Sequence, residues 1–106
     1  MRNAQPAYAA EERYIRVLVT VRGIVQGVSF RKQTLRKALE LDVRGWVRNA
    51  EDGSVEALFE GPESGVSALL AWCSRGPERS QVQSVSSCVQ EYTGEEFEDF
   101  RILYPE

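Results

Sequence analysis

Apolar residues first recur with a period of two. Ile15, Val17, Val19 and Val21 alternate with Arg16, Leu18, Thr20 and Arg22, and the first set is entirely β-branched. This pattern predicts a strand with one buried face. The segment Gly23 to Ser29 interrupts it, and from Phe30 the period lengthens. Phe30, Leu35, Ala38, Leu39 and Leu41 gather on one side of a helix, with Arg31, Lys32, Arg36, Lys37 and Glu40 mostly elsewhere. Alternation returns in "DVRGWVRN" and "GSVEALFE", through Val43, Gly45 and Val47 and then Val55, Ala57 and Phe59. Asp52-Gly53 between the two runs supplies turn chemistry, because glycine takes positive φ freely, so the pair reads as a hairpin. Gly61-Pro62 opens a second helix at a position where the missing proline N–H costs nothing. Val66, Leu69, Leu70 and Cys73 form its apolar stripe, and Gly76-Pro77 ends it. Val82, Val85 and Val89 mark another strand, and "FEDFRILY" a last one.

The resulting order is β-α-β-β-α-β with an extra terminal strand. It suits an α+β, ferredoxin-like sandwich, in which an antiparallel sheet carries both helices on one face. RNA-binding and metal-binding modules share this layout, so function has to be argued from a site. A chain of 106 residues is most simply one domain, and at that length about two-thirds of the extended-chain surface is buried on folding. Residues 1–12 read as a flexible tail and residues 13–106 as the domain.

Charge and composition remove several classes of function. The net charge is −3 with both signs spread along the chain, which argues against generic binding to nucleic acid or membrane. There is no histidine, so Ser-His-Asp, Cys-His and His-zinc sites are excluded. Two cysteines, Cys73 and Cys88, are too few for a thiolate zinc site and read as free thiols, core or half-buried, in a reducing compartment. No apolar run approaches membrane-spanning length. "MRNAQPAYAAEE" has no apolar core segment, so it does not read as a signal peptide, and a cytoplasmic location is expected.

The chemistry concentrates in "VRGIVQGVSFRKQ". A helix N-terminus offers unpaired N–H groups and about half a positive charge. A glycine-containing loop running into it can turn backbone N–H groups inward as an anion seat. Arg31 would add a planar fork of donors suited to phosphate. No Walker motif is present. Two readings are open on these residues alone. Gly23 and Gly27 could serve only to turn the chain, with Arg31 a solvated cation; or the loop is a phosphate cradle. Asn49, just before the hairpin turn, is open in the same way. It could cap the turn, or it could lie beside the loop and hold a water with its amide.

"GIVQGVSFR", then "GWVRNAEDGSVE", "FEGP" and a helix containing Trp72 resemble the acylphosphatase family, from about Tyr14 to Tyr104. The resemblance implies the ferredoxin-like fold and hydrolysis of a carboxylic–phosphoric anhydride without metal or cofactor. By position it implies a phosphate loop of Gly23, Ile24, Val25, Gln26, Gly27, Val28 and Ser29. It makes Arg31 the phosphate-binding arginine and Asn49 the residue that orients the attacking water. Ser29 fills a position that the family varies. Ala50 and Ser54 stand where some members carry threonines, which leaves Ser54 as the one hydroxyl there to position Asn49. Pro105-Glu106 extends past the usual end.

The expected substrate is a small acyl phosphate, with inorganic phosphate or sulfate as competing anions and the chain acting as a monomer. With no side-chain base in evidence, a phosphate oxygen of the substrate is expected to take the proton of the water. Two other readings compete. A non-catalytic phosphoryl-binding module would have no use for Asn49. An RNA-binding sheet would want aromatics where Arg16, Leu18 and Thr20 stand. Trp46 and Trp72 read as packing, and "GEEFED" as a solvated loop and edge.

Overall fold

A computed structural model describes residues 12–104. The tail expected over residues 1–12 lies, except for Glu12, outside the described residues, as does Pro105-Glu106. The elements are β1 (Tyr14–Ile24), α1 (Phe30–Glu40), β2 (Arg44–Asn49), β3 (Val55–Pro62), α2 (Glu63–Arg75), β4 (Gln81–Gln90) and β5 (Phe100–Leu103). The strands form one sheet in the order β4-β1-β3-β2-β5. The first four pair antiparallel, as the sequence pattern predicts. β5 instead runs parallel to β2, from Gly45↔Phe100 to Arg48↔Leu103, so the sheet is mixed. Its hydrophobic pattern marks β5 as a strand but does not specify the neighbour or the direction.

Register explains the core. Val17, Val19 and Val21 stand opposite Phe59, Ala57 and Val55, and Ala57 in turn stands opposite Val47. All of these are buried and form one cluster with residues of both helices. The helices pack side by side on this face, Phe30 of α1 meeting Trp72 of α2 with ring centroids 5.4 Å apart.

The buried stripe of α1 is Phe30, Thr34 and Ala38, residues spaced by four and thus nearly aligned along the helix. Thr34 is tolerated there because its hydroxyl donates to the Phe30 carbonyl at 2.7 Å. Leu39 departs from expectation. It follows Ala38 by about 100° of helical rotation and is 64% exposed. By the same rotation, Arg31 falls on the flank beside Phe30 and is partly buried.

β4 is an edge strand. Its valines are not spaced evenly, because a register shift opposite Arg22/Gly23 inserts one extra residue between Val82 and Val85. Cys88 lies on the open face opposite Leu18 and is exposed, contrary to its expected place in or near the core, while Cys73 is buried; both are free thiols. Burial pushes the Cys73 thiol up to about 12, which makes it inert as a nucleophile at neutral pH.

Candidate active site

The loop between β1 and α1 is shaped by its own residues. Gly23 has φ +132°, and a Cβ there would come within 2.1 Å of the Gln81 carbonyl oxygen across the β1–β4 pair. Only glycine allows β1 to stay paired with β4 through the register shift at this point. Val25 is buried and Val28 packs against the core, so the two apolar side chains pull the loop down on the sheet. Gly27 has φ +76° with open space where a side chain would project.

Ser29, the residue before α1, is itself left-handed at φ 67° and makes no side-chain cap. The usual capping serine holds an extended conformation and satisfies an N–H of the first turn. Here that does not happen. Among the described residues no acceptor takes the N–H groups of residues 27–32, and the first turn of α1 carries no carboxylate. The positive end of the helix is therefore left available to an anion. Relieving the left-handed serine should gain about 1–2 kcal/mol, offset by about 0.5–1 kcal/mol for the extra freedom of glycine in the unfolded chain. Ser29→Gly is thus expected to raise Tm by a few degrees in thermal unfolding. A lower Tm would mean that the serine side chain makes a stabilising contact.

The recess above this loop has a volume of about 180 Å³ and is lined by Val25, Gly27, Ser29, Phe30, Arg31, Lys32, Asn49, Ile102 and Tyr104. It brings Arg31 and Asn49 to one site, together with three of the seven loop residues named from the sequence. Gly23, Ile24, Gln26 and Val28 do not line it. Gly23 and Val28 shape the loop from below, and Ile24 ends β1 as an exposed residue.

Gln26 points its amide the other way, donating at 2.8 Å to the Ala50 carbonyl and at 2.9 Å to the Ser54 carbonyl. It ties the loop to the hairpin turn that follows Asn49. Spacing in the sequence could not show this, because the partners lie 24 and 28 residues away.

That turn is closed by Ala50 donating to the Ser54 carbonyl at 2.8 Å. Asp52 braces it, its Oδ1 accepting from the Ser54 backbone N–H at 3.0 Å and from the Ser54 hydroxyl at 2.6 Å. The Ser54 hydroxyl is therefore committed to the turn and does not reach Asn49. Donation from that hydroxyl, then from the backbone N–H, with Arg22 adding a smaller attraction, holds the Asp52 carboxyl below its usual range. This contribution to the turn is present above the ordinary carboxylate pKa and is lost as pH falls through the depressed one.

Arg31 and Asn49 make no side-chain hydrogen bond or ion pair within the described residues, and the same holds for the Ser29, Lys32 and Tyr104 side chains that line the recess beside them. Arg31 Nη1 is buried and has no hydrogen-bond partner among the described residues. The ion pairs of the described residues do not include Arg31; its guanidinium lies over the Tyr104 ring, 4.7 Å from the centroid. Asn49 closes the β2–β3 register opposite Val55, and its amide makes no hydrogen bond within the described residues. A cationic fork, a free helix N-terminus and an amide surrounding one small recess can bind a tetrahedral anion and place a polar molecule against it. Asn49 and Tyr104 also line a second, wider cleft of about 730 Å³, whose walls include Arg48, Glu51, Asp52 and Leu103. Among the described residues, no group of three or more Cys, Asp or Glu side chains is arranged to hold a metal ion, and no helix is long and apolar enough to cross a membrane.

The acylphosphatase family model matches residues 17–102. An acylphosphatase of Syntrophus aciditrophicus is 53% identical over 91 residues, covering 86% of this chain and 94% of the relative. The acylphosphatase structure from Coxiella burnetii superposes with a TM-score of 0.79 at 35% identity, over 88% of this chain and 98% of the other. That from Bacillus subtilis gives 0.81 at 33% identity, over 85% and 99%. These matches span both the loop and the hairpin that form the recess, and the chain belongs to the acylphosphatase family of hydrolases.

Proposed function

We propose that this protein hydrolyses small acyl phosphates to a carboxylate and inorganic phosphate, acting as a cytoplasmic monomer without metal or cofactor. The observation that carries the reading is the buried Arg31 Nη1, without a partner among the described residues, beside an uncapped helix. A desolvated cationic donor costs free energy unless an anion completes it. In this reading the phosphoryl group sits on the backbone N–H groups of the Gly23–Ser29 loop and on the Arg31 fork. These donors take up charge on the phosphoryl oxygens as the bond to the carboxylate lengthens. Asn49 holds a water in line behind phosphorus. The water gives its proton to a phosphate oxygen of the substrate, so no side-chain base is required, and the carboxylate leaves as an anion without an acid. Gln26 serves this chemistry indirectly, keeping the phosphate loop and the Asn49 hairpin in register.

Asn49 also separates this reading from a non-catalytic phosphate-binding module. Its amide lines the recess with no partner among the described residues, which suits a water-holder and is superfluous in an anion seat. Benzoyl phosphate should be turned over at an undiminished rate in excess EDTA, with inorganic phosphate and sulfate inhibiting competitively. Strict dependence on added magnesium or zinc would overturn the mechanism.

A further inference from the structure

We propose that Tyr104 is the positioning residue for Arg31, its ring holding the guanidinium plane so that the buried edge faces the recess. The inference rests on the reading of that recess as the phosphoryl seat. Arg31 has five N–H donors, yet no ion pair or hydrogen bond from its side chain is formed within the described residues, and Nη1 is enclosed without a partner. A long side chain in that state needs something else to keep its fork in one orientation. The Tyr104 ring, 4.7 Å from Cζ, provides a face for the guanidinium to stack on.

The fold places the ring there through β5. Leu103 ends the parallel pairing with β2 opposite Arg48, so Tyr104 comes level with Asn49, and Arg31, Asn49 and Tyr104 all line the recess. Tyr104 is 67% exposed and its hydroxyl makes no hydrogen bond within the described residues. The ring face, rather than the phenol or buried bulk, is therefore what it offers. Without that face the fork would be free to follow solvent, and each phosphate bound would have to order it again.

The experiment uses the full chain carrying Tyr104→Ala, Tyr104→Phe or Tyr104→Leu. It reads the dissociation constant of inorganic phosphate, kcat and KM for both acetyl and benzoyl phosphate, and Tm. Loss of the stack should weaken phosphate binding about fivefold in the Ala and Leu variants. KM should rise by a similar factor for both substrates, with Tm little changed. Tyr104→Phe should remain within about twofold of the unsubstituted protein, since it keeps the π face. Unchanged phosphate binding in Tyr104→Ala, or normal binding in Tyr104→Leu, would overturn the inference while leaving the hydrolase reading intact. An effect confined to benzoyl phosphate would also overturn it, because the ring would then be touching the acyl group. An unsubstituted protein that neither binds phosphate nor turns over acyl phosphate would remove the phosphoryl seat, and the inference with it.

Discussion

Arg31→Lys should lose nearly as much activity as Arg31→Ala, roughly 10³-fold or more in kcat/KM, the range spanned by arginines that stabilise phosphoryl-transfer transition states. Lysine keeps the charge but not the geometry. Arginine presents a planar fork that can meet two oxygens at once, whereas an ammonium is a point charge on a flexible stem. At this site the difference is sharpened by position. Arg31 follows Phe30 on the flank of α1, and its Nη1 is already desolvated beside the recess. A lysine there would lose the stack of the guanidinium plane on the Tyr104 ring along with the two-point grip. Both variants should fold, because no ion pair or hydrogen bond from the Arg31 side chain is lost within the described residues. A steady-state assay with benzoyl phosphate, paired with thermal unfolding, checks both statements. Retention of most activity in Arg31→Lys would mean that charge alone suffices.

Asn49→Ala should lower kcat by roughly 10²–10³ with KM little changed, the scale of losing one well-placed polar group in a transition state. The reason is the division of labour in the recess. The loop and Arg31 hold the phosphoryl group in both the ground state and the transition state, so they set KM. Asn49 acts on the water, and removing an interaction made only in the transition state appears in kcat. The fold should tolerate the change, since the Asn49 amide makes no hydrogen bond within the described residues and its backbone pairing opposite Val55 is retained. A large rise in KM at constant kcat would assign Asn49 to substrate binding instead.

The parts of this site that sequence made legible are those encoded locally. Period two followed by a glycine loop and a helix places Gly27, Ser29 and Arg31 at one junction, and Asp52-Gly53 fixes the hairpin that carries Asn49. That the two junctions meet depends on non-local pairing, with β2 beside β3 and β3 beside β1. Gln26 and Tyr104 were not legible as positioning residues. Gln26 acts on carbonyls of a turn 24 and 28 residues away, and Tyr104 reaches Arg31 only because β5 adds in parallel to β2. Neither relation leaves a periodicity.

Leu39 and Cys88 show the opposite failure, in which a local signal overstates burial. The helical period groups Leu39 with Leu35 and Ala38 on the core side, yet rotation carries it about 100° past Ala38 and it is exposed. The sequence alone marks Cys88 as a core or half-buried filler, but it belongs to a strand whose outer edge and open face meet solvent.

Which bond breaks is the claim on which the rest depends. A carboxylate leaving group has a conjugate acid of pKa about 4, judged from side-chain carboxyls, and departs as an anion at neutral pH. An alkoxide is far poorer, its conjugate acid lying nearer that of water at about 15.7, and its expulsion calls for an acid or a metal. The chain has no histidine, and among the described residues no carboxylate lines the recess. The recess should therefore bind both classes of phosphate and turn over only one. The decisive measurement compares benzoyl phosphate with glycerol phosphate at equal concentrations, the ester being tested also as an inhibitor. Rapid hydrolysis of the anhydride, with the ester inhibiting but scarcely reacting, is the result expected. Comparable turnover of the two would contradict the account, because it would demand a general acid acting on the leaving oxygen, and the mechanism assigns none.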